Sequence, residues 1–143
     1  TSITFTYLVD RPANTLAYRK KVPQVQLTSR EEELFLKANN HVPVNGALVD
    51  SINQDLRPAP PQSLEQARAI YDYVVDNMEY KKIGTGWGNG DTYWACSEKY
   101  GNCTDFHALF TSLARSDQIP SRFEIGFPVP SDRDQGTISG YHC

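Results

Sequence analysis

The stretch that decides the fold reads GNCTDFHALFTSLAR and spans residues 101–115. Its apolar side chains recur three and four residues apart, as on one face of an α-helix; they are Phe106, Leu109, Phe110, Leu113 and Ala114. Cys103 extends this face at its N-terminal end, and Gly101 permits a tight backbone entry into the first turn. We therefore predict a largely buried helix from Cys103 to Arg115 with a cysteine at its start.

A cysteine at the start of a helix is a candidate nucleophile. The unpaired backbone N–H groups and the positive end of the helix dipole favour the thiolate there, and Asn102 or Thr104 can cap the first turn. Without such a context a cysteine is most often a small buried hydrophobe, and that alternative stays open for Cys103. A base within reach would favour the nucleophile.

His142 is the best candidate for that base among the three histidines. It lies in the segment 137–143, a candidate strand that follows the helix in the chain. His107 lies one turn after Cys103, but its side chain would point along the helix body, so we expect it to pack. His41 stands in a polar connector and is expected to be solvated. We predict that Cys103 and His142 act together.

A glycine-rich aromatic segment precedes the helix. Residues 84–101 contain five glycines together with Trp87, Tyr93 and Trp94, in an order with neither helical nor strand periodicity. We predict a long ordered loop with a binding role, because long loops inside a compact domain are usually functional or disordered and indole rings favour order. Trp87 and Trp94 are candidates to donate an indole N–H to an oxyanion or, alternatively, to form apolar walls of a cleft.

Two helices are predicted before this segment, and strands at both ends of the chain. Ser29 and Glu32 have the spacing of a capping box and open a helix over about residues 29–40, while Ser63 and Gln66 open a second one. The apolar face predicted for the second helix consists of Ala67, Ile70, Tyr71, Val74, Val75 and Met78.

The segment 41–62 contains four prolines and a weakly helical patch, which indicates a surface connector. Alternating side chains predict strands over residues 3–9, 122–127 and 137–143, with turn-rich residues 128–136 between the last two.

The composition limits the classes of function. The chain has 143 residues, enough for one domain with a core, and a formal charge of −3 without a long basic run, so no nucleic-acid partner is expected. No apolar stretch approaches the roughly 20 residues that span a bilayer. Three cysteines cannot all pair within one chain, so at least one thiol is free.

A zinc site is an alternative use of the same residues. The available nitrogen and sulfur ligands are Cys96, Cys103, His107, His142 and Cys143. Their spacing argues against zinc, because structural sites usually take ligands from short turns and the sequence has no C-x-x-C pair. We expect no metal.

Several segments resemble one family. The stretches 101–110, 113–115 and 119–123 resemble the nucleophile helix and following strand of transglutaminase-like domains, residues 67–77 resemble the preceding helix, and Gly140–Cys143 resembles the histidine strand. The resemblance implies an α+β fold, a papain-like core with the nucleophile at the N-terminus of a buried helix packed on an antiparallel sheet. We expect residues 1–27 to be strands from the tail of a preceding β unit and residues 28–143 to be the transglutaminase-like core, incomplete at its C-terminus.

The resemblance also implies the chemistry. Family members use a Cys-His-Asp triad without a cofactor, and they hydrolyse peptide or side-chain amides or transfer a glutamine acyl group to an amine through a thioester. Cys103 and His142 match the first two members of the triad, with a protein or peptide as substrate. The aspartate would lie beyond Cys143, so we expect a truncated domain with impaired activity. Bacterial relatives are often exported, which favours a periplasmic or extracellular location. The alternative is a non-catalytic protein-binding module on the same fold.

Overall fold

A computed structural model gives the structure of the protein and describes residues 3, 4, 6, 8, 10, 26–56, 60, 62–128, 137, 138 and 140–143. In these ranges the elements are α1 (Ser29–Leu36), α2 (Ala47–Asp55), α3 (Leu64–Asn77), β1 (Glu79–Tyr80), α4 (Thr92–Glu98), β2 (Tyr100–Gly101) and α5 (Cys103–Ser116). Most of the predicted N-terminal strands and the predicted turn-rich segment lie outside the described residues. No helix in the described ranges is long and apolar enough to cross a membrane.

Helix α5 lies at the centre of the packing and contacts the other four helices. Its Leu109 and Leu113 are buried in one cluster with Val49 of α2, Ile70 of α3 and Ala95 of α4. Burial of each such Leu or Ile contributes roughly 1.5–3 kcal/mol, so this contact region supplies much of the packing energy. The prediction of a largely buried helix that begins at Cys103 is confirmed.

A left-handed residue, Gln118, follows the end of helix α5 by two positions. Gln118 has φ of +60°, its N–H donates to the Arg115 carbonyl at 3.0 Å, and the Ile119 N–H donates to the Ala114 carbonyl at 2.8 Å. These two bonds form a Schellman motif, in which the left-handed position favours glycine. The helix end therefore carries local strain at Gln118.

Helix α3 buries part of the predicted face, Ile70, Val74 and Met78, and leaves another part of it exposed. Its N-cap is Ser63, whose side chain accepts from the Gln66 N–H at 3.0 Å, but the Gln66 side chain donates to Asp117 instead of returning to the cap. The buried stripe runs at four-residue spacing through Gln66, Ile70, Val74 and Met78. Tyr71 and Val75 lie one position further along the helix and are 53% and 49% exposed. The prediction that these two residues face the core was wrong.

Helix α1 begins where predicted but is shorter, and its N-cap lies one residue before the predicted capping residue. Thr28, not Ser29, is the N-cap, and it forms the capping box with Glu31. The helix ends at Leu36 because Lys37 is extended, with ψ of 135°, and its carbonyl accepts from Arg115 Nη1 at 2.6 Å. Arg115 thus fixes the end of α1 against α5.

The predicted connector and the predicted aromatic loop each contain a helix, so both predictions were wrong in part. In α2, Val49 is buried and the Asn53 side chain donates to the Leu113 carbonyl at 3.1 Å. In α4, Asp91 caps the first turn and Thr92 donates to the Ala108 carbonyl at 3.2 Å. Both helices owe their place to contacts with α5 rather than to a strong periodicity of their own.

The sheet described by the structure is parallel, which corrects the expected antiparallel sheet. Strands β1 and β2 pair with Glu79 opposite Tyr100 and Tyr80 opposite Gly101. Of the strands predicted over 122–127 and 137–143, the described residues form one antiparallel bridge, Gly126 with His142, whose two backbone bonds are 2.9 and 2.8 Å. Pairing partners depend on contacts distant in sequence, which local alternation does not specify.

Candidate active site

Cys103 is the first residue of α5 and is 7% exposed. Asn102 is the N-cap, and its side-chain oxygen accepts from the Thr104 N–H at 2.9 Å. The Asp105 carboxylate accepts from the Asn102 N–H at 3.0 Å and completes a capping box. The backbone around the thiol is therefore fixed from both sides of the helix start.

The pKa of the Cys103 thiol is lowered by neighbouring groups. Burial raises the pKa of the Cys103 thiol, but hydrogen bonds from the side chain and backbone of Cys143, and then from those of Thr104, outweigh it and leave the pKa below its usual value. Thr104 Oγ1 also lies 3.9 Å from the Cys143 sulfur. The first turn of α5 and the last described residues of the chain thus enclose one thiol whose anion is stabilised.

The pKa values of the other two thiols are raised rather than lowered. Burial, followed by the hydrogen bond with Cys103, raises the pKa of Cys143 to about 11. Burial also raises the pKa of Cys96, which packs at the edge of the core cluster, and Lys99 only partly offsets it. Cys103 is therefore the cysteine best suited to act as a thiolate.

The two predicted triad residues lie on neighbouring elements without a direct bond. In the part of the chain that the structure describes, no hydrogen bond joins the His142 ring to Cys103. His142 is exposed, and its backbone is held by Gly126. Burial and then the charge of His142 lower the pKa of the half-buried His107, whose ring meets Phe123 edge-on with centroids 6.2 Å apart. The role of His142 as a base stays a prediction.

Tyr141 is a site residue that the sequence reasoning missed. Its hydroxyl lies 3.2 Å from the Asn102 amide nitrogen and 3.0 Å from Thr104 Oγ1. These contacts hold Tyr141, the residue before His142, against the first turn of α5. Cys143, the residue after His142, lies near the same turn, with its sulfur 3.9 Å from Thr104 Oγ1. A tyrosine in a candidate strand carries no signal of such a contact without the fold.

Asp105 was also missed as a positioning residue. Its carboxylate is fully buried and accepts from the N–H groups of Gly88 at 2.6 Å and Gly90 at 3.1 Å, in addition to Asn102. A Cβ atom on Gly101 would lie 2.3 Å from Asp105 Oδ2, so only glycine fits there. The carboxylate clamps the glycine loop, residues 84–90, onto the start of α5. The alternating glycines were visible in the sequence, but their shared acceptor was not.

The glycine loop also packs against Trp94. Gly86 has φ of +106°, and a Cβ atom there would lie 2.3 Å from the indole ring. The Trp94 N–H donates to the Tyr100 carbonyl at 3.1 Å, and the Trp87 N–H donates to the Gly84 carbonyl at 3.2 Å. In this structure both indole N–H groups hold the backbone, and the proposed oxyanion role of either one stays a prediction.

Two open cavities meet at His107, and the histidine lines both. The larger, about 490 Å³, has an apolar floor that includes Phe35, Phe110 and Phe123 and reaches Cys143. The smaller, about 290 Å³, lies between the glycine loop and α5 and is lined by His41 and Thr104. The exposed His41 side chain has its Nδ1 atom 3.4 Å from Asp91 Oδ2. The described residues contain no group of three His, Cys, Asp or Glu side chains that could hold a metal ion.

Comparison with known proteins identifies the family. The profile of the transglutaminase-like superfamily matches residues 50–143, which is more than half of the chain and includes all of α3 to α5. The chain belongs to the transglutaminase-like superfamily. Membership implies a papain-like α+β fold and, at the level of the family, cysteine-based acyl chemistry.

A relative of this transglutaminase-like chain is an uncharacterized protein of Haemophilus influenzae, 29% identical over 107 residues. The match covers 73% of this chain and 29% of the relative, so the chain spans less than a third of that protein's length. No solved structure matches the chain significantly.

Proposed function

We propose that this transglutaminase-like chain carries the nucleophile and base of an enzyme that transfers acyl groups from protein or peptide amides. The observation that carries the proposal is the Cys103 thiol, held at the start of α5 with its pKa below the usual value by four hydrogen-bonding groups of Cys143 and Thr104. A thiolate at this position is the attacking species that amide chemistry requires.

The reaction begins when the Cys103 thiolate attacks the amide carbonyl carbon. The carbonyl oxygen takes the negative charge, and the backbone N–H of Cys103 at the helix start is suited to stabilise it. Collapse of the tetrahedral intermediate breaks the C–N bond and leaves a thioester, with a proton passing to the departing amine. Water or a second amine then attacks the thioester and restores the thiol.

His142 is proposed to carry the proton in both steps. The residues on either side of it contact the first turn of α5, Tyr141 through Thr104 and Cys143 through Cys103. We propose that the exposed His142 ring turns towards the sulfur when substrate binds.

A non-catalytic binding module on the same fold is the second candidate. The observations that favour it are the occupied indole N–H groups of Trp87 and Trp94 and the lack, among the described residues, of a bond between His142 and Cys103. In that case Cys103 would serve as a packed residue of the cleft floor.

The test is the rate of Cys103 alkylation by iodoacetamide as a function of pH, measured by peptide mass spectrometry. We expect a Cys103 midpoint below the value of about 8.5 that an ordinary thiol shows, with Cys96 and Cys143 reacting at higher midpoints in the same sample. A Cys103 midpoint at or above those of the other two thiols would contradict the proposal.

A second measurement separates the two outcomes of the acyl-enzyme. The protein is incubated with a glutamine-containing protein and a labelled primary amine. Incorporation of the label would identify acyl transfer to amines, whereas ammonia or new N-termini without the label would identify hydrolysis. Both products should vanish in Cys103→Ala and persist in Cys96→Ala, because Cys96 packs at the edge of the core cluster, away from the start of α5.

A further inference from the structure

A second pair of histidine and carboxylate, His41 and Asp91, lies outside the proposed catalytic residues. His41 Nδ1 lies 3.4 Å from Asp91 Oδ2. A carboxylate accepts a hydrogen bond from a protonated Nδ1, which leaves Nε2 of the neutral imidazole without a proton. Asp91 also caps α4, so its position does not depend on the histidine. His41 therefore has the arrangement of a base with an orienting acid, and the proposed reaction does not use it.

Backbone contacts fix His41 in this position. The Thr92 N–H donates to the His41 carbonyl at 2.9 Å, and Thr92 Oγ1 donates to the Ala108 carbonyl at 3.2 Å. On its other side, the His41 N–H donates to Asn39 Oδ1 at 3.0 Å. The residue is thus tied to α4 and, through Thr92, to α5. Its side chain is 58% exposed, so the ring can exchange a proton with solvent.

The cavity that His41 lines presents hydrogen-bond acceptors. Its volume of about 290 Å³ suits a chain of the size of a lysine side chain. Asn89 and Thr104, the residue after the nucleophile, line it too. The Asn89 amide nitrogen donates to the Gly86 carbonyl at 3.0 Å, so the side-chain oxygen is the group that Asn89 can offer to a ligand. Together with His41 Nε2 and Thr104 Oγ1, it favours a ligand that donates hydrogen bonds.

The charges around this cavity favour a cation beside His41. The Asp91 carboxylate lies next to the imidazole. Burial lowers the pKa of His107, which also lines the cavity, so that ring is neutral above about pH 6.5 and does not repel a cation. Arg115 is the cation that lines the cavity, but its guanidinium donates to backbone carbonyls about three helical turns from Thr104. A positive group that donates hydrogen bonds is an ammonium ion.

The proposed reaction consumes an amine when a second amine attacks the thioester. Aliphatic amines resemble lysine, with a pKa of about 10.4, so they arrive as ammonium ions and must lose a proton before the nitrogen can attack. His142 is proposed to carry the proton released at the thioester, which leaves this earlier proton without an acceptor. We propose that the cavity binds the ammonium end of an aliphatic amine and that His41 takes its first proton. This inference rests on the proposed function for the use of the amine.

The proton transfers balance in this scheme. His41 Nε2 takes one proton from the ammonium group, and the electron pair of that N–H bond stays on the nitrogen. The lone pair attacks the thioester carbonyl carbon, a second proton passes to His142, and the C–N bond forms. The C–S bond breaks and its electron pair returns to Cys103 as the thiolate. His41 then gives its proton to solvent, and until then Asp91 stabilises the imidazolium.

Binding is measured by NMR on the full chain. The three histidines give three imidazole Hε1–Cε1 signals, which are assigned by replacing each histidine with glutamine in turn. The protein is titrated at fixed ionic strength and about pH 8 with n-butylammonium chloride, and separately with sodium butyrate, a probe of the same length and opposite charge. We expect saturable shifts of the His41 and His107 signals with butylammonium and none with butyrate.

Two variants of α4 refine the binding experiment. Asp91→Asn keeps the helix cap and removes the negative charge, so it should raise the dissociation constant of butylammonium roughly two- to fivefold. Tyr93→Phe is the matched control, because Tyr93 lies in the same turn and does not line the cavity. It should bind butylammonium as the unaltered chain does.

The proton transfer is measured on the acyl-enzyme. Cys103 is acetylated with p-nitrophenyl acetate, the protein is desalted rapidly, and butylamine is added. The products are acetate from water and N-butylacetamide from the amine. His41→Gln should lower the ratio of amide to acetate by about 100-fold or more, the usual contribution of a positioned base, while Tyr93→Phe should keep the ratio.

Three results decide the proposal. A His41 signal that does not shift saturably, or shifts equally with butyrate, would overturn the ammonium site. An unchanged product ratio in His41→Gln would overturn the role of His41 as proton acceptor. Binding is read without acyl chemistry, so a shift of the His41 signal in a protein that forms no acyl-enzyme would remove the proposed function and the proton transfer and leave the binding site standing. An acyl-enzyme without the shift would do the reverse.

Discussion

At the scale of single residues, the reactivity of Cys103 depends on hydrogen-bond donors rather than on exposure. Cys143 is the largest favourable contributor, ahead of Thr104. Cys143→Ala removes its side-chain donor and should raise the midpoint of Cys103 alkylation. Cys143→Ser keeps a hydroxyl donor and should raise it less. Equal midpoints in the unaltered chain and Cys143→Ala would show that the contact does not stabilise the thiolate.

Asp105 is the residue on which the loop beside the thiol depends. Asp105→Ala leaves three backbone N–H groups, those of Gly88, Gly90 and Asn102, without their buried acceptor. We expect the free energy of unfolding to fall by about 3 kcal/mol, as measured by urea denaturation.

Asp105→Asn is the matched variant, because it keeps the shape and one acceptor oxygen. Asp105→Asn should lower the free energy of unfolding by less than Asp105→Ala does. Its amide nitrogen would face a backbone N–H at one of the positions where the carboxylate oxygen accepts a hydrogen bond, so some loss is still expected. A loss below about 1 kcal/mol for Asp105→Ala would mean that the clamp contributes little in solution.

The residue scale shows what local sequence can specify. Cys103 was placed correctly at the start of a buried helix because its periodicity and the preceding glycine are local signals. The Asp105 clamp and the Tyr141 contact were not predicted, because their partners lie far away in the chain and have no pattern of their own.

At the scale of elements, the end of α5 offers a stabilising change. Gln118→Gly removes the Cβ atom at φ of +60°, which relieves about 1–2 kcal/mol of strain and costs about 0.5–1 kcal/mol in chain entropy. A net gain of about 0.5–1 kcal/mol is expected in thermal unfolding. Gln118→Ala keeps a Cβ atom and should give no gain; a gain in Ala equal to that in Gly would refute the explanation.

Helix α2 should contribute to stability although its sequence predicted a connector. Val49 is 1% exposed against α5, whereas its neighbour Leu48 is 39% exposed. Val49→Ala should lower the free energy of unfolding by about 2 kcal/mol, and Leu48→Ala, the larger deletion, by about 1 kcal/mol or less. The reverse order in urea denaturation would mean that α2 is not docked as described.

The elements that the sequence missed have a common cause. Helices α2 and α4 have nine and seven residues, too few to form alone, and each is stabilised by docking on α5. Helices α3 and α5 have fourteen residues each and carry capping residues and clear periodicity, and both were predicted. Local signals therefore identify helices with readable capping residues, including the eight-residue α1, and not those that depend on docking against α5.

At the scale of the whole molecule, His107 links stability to pH. Burial, followed by the charge of His142, lowers its pKa in the folded state. The unfolded chain therefore binds the proton more readily, so the stability is fully present above the unfolded pKa of about 6.5 and is lost as pH falls below it. His107→Gln should lose less thermal stability than the unaltered chain between pH 7.5 and 5. Parallel losses in both would exclude His107 as the source.

The overall topology was predicted only in part. The α+β class and the central helix follow from the sequence and the family. The parallel pairing of β1 with β2 was not predicted, because two-residue strands have no readable alternation and their partner is set by how the chain folds around α4.

This parallel pair also bears on the order of folding. Its formation closes the loop that contains α4, and the entropy of that closure is lost before the pairing contributes any energy, so β2 should dock after α3 and α5 have formed. Gly101 is the last residue of β2, and Cys103 follows two positions later. A nascent chain would therefore pass through a stage with a formed helix and an unguarded sulfur. That stage is when contacts between two copies of the chain, and hence misassembly during synthesis, are most favoured.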